Sequence, residues 1–167
     1  MTKNSADLPY RLGVGVMLIN GNGAVFTGKR IDSKGGGHEA WQMPQGGMDK
    51  GEEPRETAGR ELEEETGIAP HFTKILAESQ DWLTYDLPAD LQSKLWKGKY
   101  RGQKQKWFLM RFTGGDGDVN VATAHPEFCD WKWTDPADLP GQIIPFKRPL
   151  YAAVIEEFLP LIRQQLP

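Results

Sequence analysis

The chain has one cysteine, Cys129, among 167 residues. A lone thiol cannot build a disulfide framework, and it fits a reducing compartment. Long apolar runs are missing too, so no segment approaches the roughly 20 residues that span a bilayer. The opening "MTKNSADLPY" lacks the basic-then-apolar plan of a secretion signal. A cytoplasmic protein without a membrane partner is therefore expected, as one domain from about residue 8 to about residue 160. A basic excess is also absent: the net charge is -3 and the pI about 5.6. That excludes a general nucleic-acid coat and gives no basis for binding duplex DNA; contact with nucleic acid needs a local patch. One stretch lacks acids altogether. Between Asp90 and Asp116 the cations Lys94, Lys97, Lys99, Arg101, Lys104 and Lys106 accumulate, interleaved with Trp96, Tyr100 and Trp107. Such cations can neutralise a phosphate chain, and aromatics can stack on a base. The competing reading is a solvated basic loop with Trp107 in a core strand. His38, His71 and His125 show no metal-ligand spacing. "GKR" at 28–30 lacks the rest of a phosphate-binding loop, and "GVG" the rest of a dinucleotide fingerprint.

What is present alternates between strand and helix signals. "GVGVMLI" (13–19) and "GNGAVFTGKR" (21–30) read as two strands about a Gly-Asn-Gly turn. "IDSKGGGHEA" is loop, and "WQMPQGGMDKGE" is extended and then loops. Strands are predicted at "FTKILAES" (72–79), "KWFLMRF" (106–112) and "FCDWKWT" (128–134), the last with Cys129 packed beside Phe128. A helix begins at Pro54 and stops at Gly67, and a second carries Leu150, Val154, Ile155, Phe158, Leu159 and Ile162 as an apolar stripe. Strands with one central and one terminal helix indicate a mixed α/β sandwich.

The first of these helices crowds its own charge. "EPRETAGRELEEETGI", residues 53–68, holds six glutamates against two arginines. Glu61, Glu64 and Glu65 stand at i, i+3 and i+4, so their carboxylates share a face within about one turn. Arg60 can hold Glu64 by an i,i+4 pair, while Ala58 and Leu62 can pack the opposite side on a sheet. Converging carboxylates either rise in pKa or bind a cation. Oxygen-only ligands favour Mg²⁺ or Mn²⁺, ions that bridge carboxylates and substrate phosphates. A solvated acidic face is the bland alternative.

The frame decides against it. Gly46, Glu52, Arg60, Glu61, Leu62, Glu64, Glu65, Gly67 and Ile68 match G-x5-E-x7-R-E-U-x-E-E-x-G-U, with U aliphatic, at every fixed position from 46 to 68. By average residue usage the chance of this in such a chain is roughly one in ten million. This is the Nudix box, and the chain resembles a Nudix hydrolase. The resemblance implies an α/β/α sandwich with a mixed sheet, a central Nudix helix and a C-terminal helix. It also implies hydrolysis of a diphosphate linkage with Mg²⁺ or Mn²⁺, more than one ion being expected. It makes Glu61, Glu64 and Glu65 metal ligands and has Arg60 orient the acids. Gly46 and Gly47 would let the loop approach the helix, and Glu52 would be a ligand or a brace.

"WQMPQGGMDKGE", "RGQKQKWFLMRF", "HPEFCDWKW" and "PFKR" extend the likeness to a bacterial branch. That branch holds RNA pyrophosphohydrolases and asymmetric diadenosine-tetraphosphate hydrolases. The match implies a further metal ligand or base at Glu127, and substrate contacts from Arg11, Arg30, Phe146 and Lys147. Tyr85 falls in the window that marks dinucleoside-polyphosphate hydrolases, and Lys104 belongs to the basic stretch. "DSKGGGHEA" departs from the branch in length and glycine content, and Ala40 stands where some members carry serine. The expected substrate is thus an RNA 5' end or a dinucleoside polyphosphate, with Glu64, Arg60 and Glu127 as catalytic groups. A non-catalytic nucleotide sensor and a housecleaning nucleoside-triphosphate pyrophosphatase are the alternatives.

Overall fold

The computed structural model describes residues 5–31 and 40–166. Among them the order is β1 (Tyr10–Ile19), β2 (Val25–Arg30), β3 (Trp41–Gln42), β4 (Gln45–Gly47), α1 (Pro54–Thr66), β5 (Thr73–Glu78), β6 (Leu83–Asp86), α2 (Ala89–Gln92), β7 (Gly102–Phe112), β8 (Phe128–Thr134), α3 (Leu139–Gln142) and α4 (Arg148–Gln164). Strands β1 and β7 run parallel from Tyr10↔Gly102 to Ile19↔Arg111 and form the spine of the sheet. Antiparallel partners flank them: β2 and β4 on β1, β5 and β6 on β7, β3 and β8 on β2.

Side chains alternate across a strand, and both faces here are covered. Val14, Val16, Leu18, Phe108 and Met110 meet Ala58 and Leu62 of α1. Met17, Ile19, Trp107 and Leu109 meet Tyr151, Val154, Phe158 and Ile162 of α4. Burial on both faces explains why "GVGVMLI" is apolar at consecutive positions and not at alternate ones. The result is the expected helix–sheet–helix sandwich.

Helix α1 begins at Pro54, ends at Thr66, and closes on Gly67 at φ 70°, whose N–H donates to Glu63 O at 2.9 Å. A Cβ at Gly67 would also lie 2.7 Å from Asn120 O. Gly67→Ala is therefore expected to cost about 1–2 kcal/mol, the left-handed penalty plus the clash. Thermal denaturation should show a fall of several degrees.

Two strand expectations needed revision. β7 begins at Gly102, and β6 was not foreseen. β6 borrows its pairing from β7, through Tyr85↔Gln103, so its own four residues carried little signal. Cys129 is exposed, contrary to the packed position expected. The register of β8 on β2 shifts between Lys29 and Arg30, and Phe128 fills the space above Gly28 instead.

Candidate active site

A cleft of about 1040 Å³ opens beside α1 and is lined by residues from β1, β4, α1, β6, β7 and the approach to α4. Glu61, Glu65 and Glu127 line it together with Arg11, Arg30 and Lys147. Arg148 lines it as well, so residues far apart in the chain place three acids and four cations around one space. Glu127, at the exposed edge just before β8, has its carbonyl held by Ile31 N–H at 3.0 Å.

Arg60 organises the acidic wall. Its Nε and Nη2 donate to the two oxygens of Glu52, each at 2.8 Å, a bidentate pair. Nη1 donates to Glu61 Oε1 at 3.0 Å and to Glu64 at 3.2 Å, and Nη2 reaches Gly47 O at 3.1 Å. Glu52 is thereby tied to Arg60: Arg60, then the Asp49 N–H, hold its carboxyl down to about 2. Thr57 Oγ1 donates to it as well, at 3.0 Å.

The three box glutamates do not converge equally. Glu65 is buried and accepts Gln45 N–H at 3.1 Å, and the Glu61 side chain is 14% exposed. Glu64 is 56% exposed and is not among the cleft-lining residues. Positions 61 and 65 line the cleft, while Glu64 is turned more to solvent with its carboxylate on Arg60 Nη1. Glu53, Glu56 and Glu63 face solvent as expected.

Gly46 and Gly47 do more than admit the loop. A Cβ at Gly46 would overlap the Glu61 carboxylate, and one at Gly47 would overlap the Arg11 guanidinium. Two cleft-lining side chains occupy the space that two missing side chains leave.

On the cationic side, Lys147 is buried with Nζ 4.9 Å from the Tyr85 ring centre, and Phe146 lies 5.9 Å from that ring. Tyr85 is itself buried, which pushes its hydroxyl pKa up; it forms wall more than contact surface. Arg30 Nη1 donates to Gln42 Oε1 at 3.1 Å. Lys104 is not among the cleft-lining residues; strand alternation turns it, with Lys106, to the other face of β7. Lys106 Nζ instead donates to Gln80 O at 3.1 Å. Gln103 takes the cleft position, and Gln105 Nε2 donates to both Gln103 and Gln45 at 2.6 Å. The period-two pattern of "GQKQKW" carried that information, glutamines and lysines being on opposite faces. Trp107 is 1% exposed and belongs to the core. His38 and the glycine loop lie outside the described residues.

A divalent cation suits the acidic wall by its chemistry. Burial, with repulsion from Glu64 and Glu127, pushes Glu61 up to about 7 against the pull of Arg60. Burial and Glu61 raise Glu65 well above the ordinary carboxyl range. Among the described residues no three acids, histidines or cysteines form a gathered metal cage. Arg60 supplies the positive charge that holds Glu61 and Glu64 in this arrangement. All-oxygen donors under mutual repulsion fit Mg²⁺ or Mn²⁺, which would relieve that repulsion.

Known proteins share the domain and the fold. The NUDIX domain pattern matches residues 9–154. An RNA pyrophosphohydrolase of Roseobacter denitrificans is 60% identical over 92% of this chain and 94% of its own. That of Rickettsia conorii is 52% identical over 97% of this chain and 98% of its own. Among solved structures, a dihydroneopterin triphosphate pyrophosphohydrolase of E. coli shares the fold at TM-score 0.69, with 17% identity over 89% of this chain and 96% of its own. A C. elegans Ap4A hydrolase superposes at TM-score 0.64, with 21% identity over 89% and 97% of the two chains. Among the described residues no helix is long and apolar enough to cross a membrane. The box, the sandwich and the full-length relatives agree: the chain belongs to the Nudix family.

Proposed function

We propose that the protein is a divalent-cation-dependent RNA pyrophosphohydrolase that converts a 5'-triphosphate RNA end to a monophosphate. The observation that carries the reading is the single cleft that sets Glu61, Glu65 and Glu127 against Arg11, Arg30 and Lys147. A polyphosphate chain needs both walls, cations for its charge and acids for the metal. The two relatives named above, at 60% and 52% identity over nearly the whole chain, support RNA as the first substrate to test. Glu61, Glu65 and Glu127, with Glu64, would hold one or more Mg²⁺ or Mn²⁺ ions. Such ions polarise a phosphoryl oxygen and lower the pKa of a bound water.

The chain's own groups account for the rest. Arg11, Arg30 and Lys147 bind the phosphate oxygens and spread the charge that develops on them. Water forms the new P–O bond to the phosphorus next to the ribose, the bridging P–O bond breaks, and pyrophosphate departs with the electron pair. Glu127 at the cleft, or Glu64 beside Arg60 just outside it, would accept the water's proton. Phe146, half-buried beside Lys147, offers a face to a base beyond the phosphates.

Side-by-side kinetics on 5'-triphosphate RNA and diadenosine tetraphosphate, at equal Mg²⁺, test the reading. The expected result is release of pyrophosphate and a higher kcat/KM on RNA. Glu64→Gln should lower turnover by roughly a hundredfold or more, within the range of general-base effects. Equal turnover by that variant would remove the catalytic assignment and favour a nucleotide sensor. Faster hydrolysis of free nucleoside triphosphates than of either substrate would favour housecleaning.

A further inference from the structure

The turn at Leu95–Gly98, between α2 and β7, contains two consecutive residues with left-handed backbone, Trp96 at φ 50° and Lys97 at φ 57°. Among the described residues these are the only non-glycine positions of this kind. A side chain in this region strains the backbone by an amount comparable to a whole surface interaction, and such strain persists only where surrounding contacts fix it. Here the contacts belong to Trp96. Its half-buried indole packs against the α4-side core, meets Tyr100 edge-on at 6.0 Å, and lines the cleft.

The Arg11 guanidinium lies over that indole, 5.4 Å from its centre. The guanidinium also occupies the space a Cβ at Gly47 would take. It therefore has both an aromatic ring and bare backbone as neighbours. No hydrogen bond or ion pair ties Arg11 to another described residue. A stacked guanidinium keeps all its N–H donors in plane and free, whereas a carboxylate partner would consume them. Arg60, a short distance away across Gly47, shows the opposite case: its donors are spent on Glu52, Glu61, Glu64 and the Gly47 carbonyl.

We infer that Trp96 is a positioning residue: its strained turn holds the indole against Arg11 so that the free guanidinium edge presents to the substrate's phosphate chain. The indole acts through Arg11 and on phosphate, whatever base the substrate carries. This rests on the cleft being a polyphosphate site, as proposed above.

Calorimetric titration of the full chain with inorganic imidotriphosphate and Mg²⁺ tests it, since this probe carries no base and its P–N–P bridges resist hydrolysis. Trp96→Ala and Trp96→Leu are expected to weaken binding roughly tenfold, and Trp96→Phe to stay within about threefold of wild type. Leucine keeps the packing and loses the aromatic face, so it separates the stack from mere filling. In an Arg11→Ala background Trp96→Ala should add less than about twofold. With RNA substrate the loss should appear in KM and leave kcat within about threefold. Unchanged imidotriphosphate binding by Trp96→Ala, with weaker binding only of a hydrolysis-resistant nucleotide, would overturn the inference and make Trp96 a base platform. Additive losses in the double variant would also overturn it. Absence of imidotriphosphate binding by the wild type would instead overturn the polyphosphate reading of the cleft itself.

Discussion

Glu61→Gln and Glu65→Gln are each expected to lower kcat on 5'-triphosphate RNA by roughly a thousandfold, the scale of a lost metal-supported transition state. The same changes should stabilise the metal-free protein. Glu61 has an ordinary carboxyl value of 4.5 and is pushed up to about 7 in the fold, burial being the largest cause. Its pKa is raised on folding, so the unfolded chain gives up this proton first. Metal-free stability is therefore fullest below about pH 4.5, falls as pH rises to about 7, and stays lowered above that. Across this window the loss is on the order of 3 kcal/mol. Glutamine has no proton to lose, so Glu61→Gln should flatten the decline. Glu65, buried and raised as well, should show the same direction.

Melting curves from pH 5 to 8 in a chelator, with and without added Mg²⁺, check both halves. Wild type should lose stability with pH in chelator and recover it with Mg²⁺, while Glu61→Gln should change less in each case. Superimposable pH curves for wild type and variant would mean that the burial of Glu61 imposes no cost. The trade is a general one: a site that gathers like charge for a ligand is less stable without it.

Arg60→Lys should be nearly as damaging as Arg60→Ala, each lowering kcat by roughly a hundredfold or more. A lysine keeps the charge but offers one point, where Arg60 uses a planar fork on four partners. Without the fork, Glu61 and Glu64 lose the group that spaces them, and misplacement of about 1 Å at a reacting centre has effects of this size. Stability should change with pH in the opposite sense to Glu61. Glu52 is held down to about 2, so its pairing stabilises the fold above about pH 4.5, and this support is lost as pH falls toward 2. Either variant should therefore denature less steeply in acid, from a lower starting stability at pH 7. Arg60→Lys within about threefold of wild-type kcat would show that charge alone suffices.

Between them, the two variant sets separate ligand from support. The acids that face the cleft are expected to govern metal response, and the arginine behind them to govern geometry. If both sets shifted metal affinity equally with no change in acid denaturation, Glu52 would belong among the ligands and not behind them.

Much of this site was legible in order along the chain. The spacing of Arg60, Glu61, Glu64 and Glu65, the proline and glycine that bound their helix, and the two-sided apolar run of β1 are local patterns. Helical and strand periods translate such patterns directly into faces. The family and the sandwich followed from them, and both hold.

Tertiary structure decided what depends on residues distant in sequence. Spacing made Glu61, Glu64 and Glu65 equivalent, yet Glu64 is exposed beside Arg60 while Glu65 is buried against Gln45 of β4. Lys104 looked like a substrate contact by composition, but pairing of β7 with β1 and β6 turned Gln103 to the cleft in its place. Gly46 and Gly47 read as letting the loop approach the helix, and only packing shows them as the seats of Glu61 and Arg11. A one-dimensional motif specifies which groups are available and on which face of their own element. Which neighbour each face meets is set by long-range pairing and burial, and that neighbour determines charge state, exposure and reach.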